Sequence, residues 1–348
     1  MNIEKTVIET LQEVLQLAQC SALSADSRLL GGMAEFDSLA VASVIVGLEE
    51  KFGLEFDEED IHAEIFTSVG TLCHFVDQQQ NRNEKTLQAT RPFFFSARSG
   101  KLFAMLHSAS ERSKRCILFV PPFAEEMNRS RDLMTATAVA LNEKGIACCV
   151  FDLSGTGDSA GDFAAARWAS WQSDLHDMVK MLRSEGFETI DLVAIRLGAL
   201  LATEYTSAYA AEFNRIVVWD PVFDGARFLD QFLRIRSMAA MIEGKNETVK
   251  SLQQELNDGN SIEVGGYELH PQLALALRAC DGQKKCDCGG TNLYWVGCRE
   301  DPSANETAER IGCRLIRQVV TDYSAYWSTA ESSAAPALIQ ATVDCLTS

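Results

Sequence analysis

The apolar positions of the chain change period part-way along it. Over residues 3–17, Ile3, Val7, Leu11, Val14 and Leu15 recur at three- and four-residue spacing, which predicts an amphipathic helix. A loop with Ser24, Asp26, Gly31 and Gly32 follows. A second helical series then runs Leu39, Val41, Val44, Ile45, Leu48, Phe52, with Glu49 and Glu50 on its other face. A short segment, Glu58–Ile65, and a last helix, Ser68–Gln79, complete four predicted helices in about 80 residues, the size of a small bundle. Residues 80–91 (Q-N-R-N-E-K-T-L-Q-A-T-R) are polar, lack apolar periodicity and read as a linker.

Beyond the linker, short β-like runs alternate with helical stretches. The runs are Pro92–Ala97, Lys101–Ser108, Cys116–Val120, Ala147–Leu153, Thr189–Ile195, Arg215–Asp220, Asn292–Cys298 and Arg314–Val320. Helices are expected near 130–143, 168–184, 197–210 and 334–346. Such alternation predicts a mostly parallel eight-stranded sheet with helices on both faces. Only R-S-G separates the first two runs, so they read as a hairpin at one edge. Residues 223–290 read as a helical cap over the sheet's C-terminal edge.

Charge sharpens this division. The chain of 348 residues has a formal net charge of −18, and residues 1–85 hold 16 Asp/Glu against 5 Lys/Arg, net −11. Nucleic acid is a poor partner for such a surface, because phosphates are bound by Lys/Arg. A small acidic module that docks on basic protein surfaces fits better. The amphipathic, Glu-containing start argues against an export signal, and no apolar run reaches the ~20 residues of a membrane span. With 11 scattered cysteines, reduced thiols and a cytoplasmic location are the expectation.

Within the acidic module, E-F-D-S-L-A (35–40) opens the second helix, so Asp37 and Ser38 sit where a side-chain oxygen caps free N–H groups and the helix dipole favours a phosphate. Together with G-L-E-F-D and T-S-V-G-T-L further on, residues 1–80 resemble an acyl carrier protein. The resemblance implies covalent 4′-phosphopantetheine on Ser38 next to Asp37, with an acyl group held as a thioester. It also implies docking through the face that includes Glu49 and Glu50. The implied partners are a phosphopantetheinyl transferase, an acyl-loading ligase or synthase, and an acyl acceptor or acyltransferase.

The run I-D-L-V-A-I-R-L-G-A-L-L-A (190–202) is a buried strand, a tight turn and a helix of small residues, the layout of the nucleophile elbow of α/β-hydrolases. D-L-S-G-T-G-D-S-A-G (152–161) and G-C-R-E-D (297–301) fit the loops after that fold's fourth and seventh strands. The elbow residue is Arg196, which has no usable lone pair and cannot be acylated as serine is. All five histidines (62, 74, 107, 176 and 270) precede the last strand, whereas the fold's base follows it. Ser154 and Ser159 lie on no elbow. The open alternatives for Arg196 are a carboxylate- or phosphate-binding clamp and a pairing with Glu125 or Glu126, only one of which would face it.

Over residues 115–340, P-P-F-A-E-E-M-N-R-S-R, the A-I-R-L-G elbow, W-D-P-V-F-D-G-A-R-F-L-D-Q-F-L-R-I-R and G-G-Y-E-L together resemble the exosortase A system-associated hydrolases of the second type. That likeness implies a role in bacterial exopolysaccharide or surface-component production. The domain organisation expected is a carrier over 1–80, a linker over 81–90 and a hydrolase-like domain over 91–348, either handling the acyl group without cleaving it or acting as a thioesterase or acyltransferase of non-serine type. Cys280, Cys286, Cys288 and Cys298 are too irregularly spaced for a zinc site, so no metal is expected.

Overall fold

A computed structural model of the chain describes residues 2–16, 23–33, 36–56, 60–108, 113–209, 213–280, 285–323, 325–328 and 335–348, with the side chains of 83–89 excepted. The chain divides into two compact units, Met1–Ala89 and Thr90–Ser348.

The first unit holds helices α1 (Ile3–Val14), α2 (Ser38–Phe52) and α3 (Val69–Ala89) around Val7, Leu11, Leu29, Val44, Leu48, Phe66, Leu72 and Val76, all buried. Asp37 starts α2: its Oδ1 accepts the Leu39 and Ala40 amides at 3.0 and 2.9 Å. Gly53, at φ +63°, ends it. Two expectations are corrected. Of the segment Glu58–Ile65, residues 57–59 lie outside the described ones; over the described residues 60–65 there is no α-helix, and a 3₁₀ turn stands at Ala63–Phe66. The turn cannot propagate, because the Phe66 and Thr67 carbonyls accept the Leu30 and Leu29 amides of the first loop. Among the described residues the unit therefore has three α-helices and one 3₁₀ turn.

The polar stretch 80–91 is the second correction. It continues α3 to Ala89 and enters strand β1 at Thr90. Gln, Arg, Glu, Lys, Leu and Ala are good helix formers, and the sequence carries no Gly or Pro between Thr71 and Arg91 to stop the helix. Asp60 also ties it down, accepting from Gln79 at 3.0 Å and from Arg82 at 3.2 Å.

The second unit is built on an eight-stranded sheet of β1 (Thr90–Ala97), β2 (Gly100–His107), β3 (Arg115–Val120), β4 (Ala147–Phe151), β5 (Thr189–Ile195), β6 (Arg215–Trp219), β9 (Asn292–Gly297) and β10 (Arg314–Val320), in the order β1-β2-β4-β3-β5-β6-β9-β10. The edge hairpin β1–β2 is antiparallel, turning at Ala97 opposite Gly100, and β4 through β10 run parallel. Side chains alternate between two cores. Leu118, Val120, Leu192, Ala194 and Val218 meet α5 (Trp168–Ser184), α6 (Gly198–Tyr209) and α10 (Ala304–Arg310). Ile117, Phe119, Val193, Ile195 and Trp219 meet α4 (Glu125–Glu143) and α11 (Pro336–Thr347).

The cap consists of α7 (Gly225–Ile242), α8 (Val249–Asn257), a hairpin β7 (Ile262–Val264) and β8 (Tyr267–Leu269), and α9 (Pro271–Arg278). The hairpin departs from the all-helical expectation. Its two-residue loop is Gly265–Gly266, both at positive φ (+60° and +87°), the backbone that a tight hairpin needs.

Asp37→Ala is expected to cost about 1 kcal/mol of α2 stability, read as faster hydrogen exchange at the Leu39 and Ala40 amides.

Candidate functional site

In the first unit, Ser38 is the first residue of α2 and is exposed. Asp37 takes the nearest free amides, and the exposed side chains of Leu39 and Val46 continue along the same helix. An arm esterified to Ser38 fits here, because Ser38 is exposed among the described residues. Glu50 is exposed, but Glu49 turns back toward the body of the unit, where its Oε1 accepts the Phe56 amide at 2.8 Å. Glu49 is thereby spent on closing the turn after α2 and leaves the expected docking face.

In the second unit, β5 ends at Ile195, the chain turns at Arg196 with φ +54°, and α6 begins at Gly198. The Arg196 amide donates to the Trp219 carbonyl at 3.0 Å, and its own carbonyl accepts from Ala199 and Val222 at 3.1 and 3.0 Å. A Cβ on Gly198 would lie 2.5 Å from the Val120 oxygen and 2.6 Å from the Pro121 oxygen. Only glycine permits α6 to come this close to the end of β3. Two more residues that carry a Cβ have positive φ beside this point: Ala124 (+51°), after β3, and Asp220 (+39°), after β6. Each costs on the order of 1 kcal/mol or more. The sheet thus keeps a sharply turned elbow at the C-terminal ends of its central strands.

The Arg196 side chain is mostly buried and held on three sides. Its Nη1 donates to the Asp220 carbonyl at 2.7 Å, its Nη2 lies 3.4 Å from Glu126 Oε1, and the guanidinium stacks over the Trp327 ring at 4.3 Å. Burial raises the Glu126 carboxyl above its ordinary value, and the neighbouring Arg196 only partly offsets this. Arg196 Nε and Glu126 Oε2 are buried without a hydrogen-bond partner among the described residues. Glu125 points elsewhere, accepting from Asn128 at 3.0 Å and from the Tyr267 hydroxyl at 3.1 Å. Of the adjacent acids, Glu126 alone faces Arg196.

A second hydrogen-bonded pair, Asp220 and Tyr323, stands beside the Arg196 cluster. Asp220, after β6, accepts the Cys298 amide at 3.1 Å through Oδ1 and the Tyr323 hydroxyl through Oδ2. Tyr323 lies in the loop after β10. Burial and Asp220 push its phenol up, so it stays a neutral donor. The histidines lie elsewhere: His107 bonds Thr90 in the edge hairpin, His176 stacks on Tyr209, His270 caps α9, and His62 and His74 belong to the first unit. Asp220, Tyr323 and Trp327 escaped the sequence reading; W-D-P after a strand and the aromatic run D-Y-S-A-Y-W were the available signals. The four cysteines face different neighbours. Cys280 donates to Glu204, Cys288 sits against Cys313, and Cys298 meets Asp220. Cys286 bonds its amide to the Arg310 carbonyl, and residues 281–284 lie outside the described ones. Among the described residues no cluster of ligating side chains could hold a metal ion.

Little room remains beside the elbow. A cavity bounded by Pro121, Phe123, Leu153, Trp171 and Leu197 measures about 10 Å³, scarcely enough for one water. Phe123 fills the approach, in edge contact with Phe163, Trp171, Phe228 and Phe232 at 5.1–5.8 Å. Among the described residues, the turn carries a guanidinium in place of a nucleophile and no histidine stands beside it.

Two outcomes follow. Gly198→Ala is expected to lose roughly 1–3 kcal/mol of stability, measured by denaturant unfolding. Glu126, with its carboxyl raised in the folded state, binds a proton there more tightly than in the unfolded chain. The stability of wild type relative to Glu126→Gln should therefore fall as the pH rises past 4.5. Paired unfolding curves across that range check the sign.

The comparisons with known proteins agree with both units. Residues 5–76 match the family model of the phosphopantetheine attachment site, and residues 111–261 match that of serine aminopeptidase, S33. A feruloyl-bound structure, "Ferulic Acid bound to Est1E" from Butyrivibrio proteoclasticus, is similar at 14% identity, covering 74% of this chain and 100% of that one, with a TM-score of 0.54. A putative hydrolase from Agrobacterium vitis is similar at 16% identity, covering 74% and 98%, with a TM-score of 0.51. At these identities the likeness is one of fold. The holo acyl carrier protein NE2163 from Nitrosomonas europaea is 38% identical over 23% of this chain and 99% of its own, with a TM-score of 0.22. No curated protein matches. The chain joins a carrier domain, with a phosphopantetheine attachment site and covalent 4′-phosphopantetheine as its cofactor, to an α/β-hydrolase domain.

Proposed function

We propose that Ser38 is the attachment point of the phosphopantetheine arm, that the arm's thiol holds an acyl group as a thioester, and that the hydrolase-fold unit handles the acyl group or its partner enzymes without cleaving the thioester. The observation that carries the second part is Arg196. A guanidinium at the elbow offers no electron pair for attack. Glu126, the Asp220 carbonyl and Trp327 hold it in place, and the cavity beside the turn has no room for an acyl chain. In this reading Arg196 supplies the charge that keeps Glu126 and the aromatic loop after β10 together. The arm supplies a reactive thiol that turns over only on separate enzymes: a transferase that adds the arm, a ligase or synthase that loads it, and an acyltransferase or acceptor that unloads it. Exposed Ser38, Leu39, Val46 and Glu50 support α2 as the face those partners read. The motif likeness of residues 115–340 supports placing this traffic in bacterial exopolysaccharide or surface-component biosynthesis.

Intact-mass analysis after incubation with a phosphopantetheinyl transferase and coenzyme A tests the attachment. The full chain should gain one phosphopantetheine, and Ser38→Ala should gain none; a gain that persists in Ser38→Ala moves the attachment elsewhere. A timed chase of an acyl-loaded chain tests the second unit. Wild type, Arg196→Ala and Glu126→Gln should lose the acyl group at one common slow rate. Loss at least about tenfold faster in wild type than in Arg196→Ala would establish a thioesterase and overturn the non-cleaving reading.

A further inference from the structure

A cavity of about 220 Å³ opens between the C-terminal halves of α5 and α6, against about 10 Å³ beside the elbow. His176, Val179, Lys180 and Arg183 line it from α5, Tyr205 and Tyr209 from α6, and Phe213 from the segment before β6. The α5 residues follow one another at three- and four-residue steps and so share one helix face. Tyr205 and Tyr209 stand about two and three turns beyond Gly198, on the order of 10–16 Å along the helix axis from the elbow. The interior is a run of rings: His176 stacks on Tyr209 at 4.4 Å, Tyr205 meets Tyr209 at 4.9 Å, and Tyr205 meets Phe213 at 6.2 Å. Tyr205 and Phe213 are buried, whereas Tyr209, Lys180 and Arg183 are exposed at the rim. Arg183 is fixed there, its Nη1 donating to the Phe187 carbonyl at 3.3 Å and to the Glu188 carbonyl. The acids of this end of α5 are taken by other cations: Asp177 by Arg98, Glu185 by Arg91 and Glu188 by Lys114. Among the described residues Lys180 and Arg183 thus have no ion pair. The field in the cavity is positive: His176 is held below its ordinary value, by burial first and then by the Lys180 and Arg98 charges, with Asp177 a smaller opposing influence. Burial pushes the Tyr205 phenol up to about 12, so no phenolate opposes an anion.

We infer that this cavity is a binding site for a carboxylate carried on a single aromatic ring, of the benzoate class. The two unpaired cations at the rim select an anion, and a planar carboxylate suits the fork of Arg183 and the point charge of Lys180. The ring-lined interior selects an aromatic body, because aromatic pairs gain from offset and edge-to-face contact beyond the area they bury. Size sets the limit. A cavity of about 150 Å³ takes benzene, so this one holds one ring with its carboxylate and excludes fused rings and long chains. Complementing the C-terminal dipole of α5 would explain cations toward the end of that helix, but not the ring-lined space they border. Neither Ser38 nor Arg196 takes part.

Isothermal titration calorimetry of the full chain with benzoate reads this site. Wild type should bind one equivalent with a Kd on the order of 0.1–1 mM. Cyclohexanecarboxylate, which keeps the charge and lacks the π-system, should bind at least about threefold more weakly. Benzyl alcohol, which keeps the ring and lacks the charge, should bind about tenfold more weakly. Lys180→Gln, at an exposed side chain, should keep the wild-type unfolding midpoint and weaken benzoate about tenfold. Tyr209→Ala, at the exposed mouth, should weaken it about threefold or more. The His176 ring-proton resonances, identified by their absence in His176→Gln, should shift along the same titration with the same Kd, which locates the ligand. No heat and no His176 shift in wild type up to roughly ten times the weakest expected Kd overturns the site. Binding that Lys180→Gln and Tyr209→Ala both leave unchanged, or that moves no His176 resonance, lies elsewhere on the chain and also overturns it. Equal affinity for benzoate and cyclohexanecarboxylate makes the cavity a general carboxylate site and overturns the aromatic assignment.

Discussion

The close approach of α6 to the end of β3 fixes the geometry of the second unit. At Gly198 the Val120 and Pro121 oxygens occupy the space a side chain would need. That contact lies where the helix starts, and Arg196, two residues earlier, makes the left-handed turn between strand and helix. The same ends of the central strands hold Ala124 and Asp220 in left-handed conformations. Backbone strain of this kind persists only where the surrounding packing over-determines it, and here two cores of alternating strand side chains do so.

The fold has therefore kept the frame of a hydrolase site while its contents have changed. Arg196 occupies the turn, its charge met by Glu126 and its flat face by Trp327. Tyr323, in the loop after β10 where a histidine is expected, bonds to Asp220 at the end of β6. A buried charge broken from its partner is costly, whereas a paired and stacked one is tolerated. The Arg196 cluster thus makes a stable closure of the sheet's mouth, and the aromatic packing around Phe123 closes the rest.

The first unit, the carrier domain, presents the start of its second helix to solvent. Asp37 caps α2 so that Ser38 stands free at its first turn. The core of that unit is a single cluster around Leu11, Val44, Leu48 and Leu72. Some of its acids serve the fold: Asp37 caps α2, Asp60 accepts from Gln79 and Arg82, and Glu49 accepts the Phe56 amide in the turn after α2.

The sequence by itself determined the carrier-plus-hydrolase layout, the mostly parallel sheet with the helices around it, and the arginine at the elbow. These rest on periodicity and on residue type, which act locally. It misjudged residues 80–91, because polarity was taken for a linker where the absence of Gly and Pro let the helix run on. It also misjudged Glu58–Ile65, where carbonyls claimed by a distant loop limit the turn. Only the tertiary structure decided which of Glu125 and Glu126 meets Arg196, that Asp220, Tyr323 and Trp327 complete that cluster, and that the cavity beside it is nearly filled. Those contacts join residues distant in the chain, for example Arg196 with Trp327, 131 positions on, and with Glu126, 70 positions back. Their distances are set by how the strands are ordered in the sheet, which no local pattern encodes.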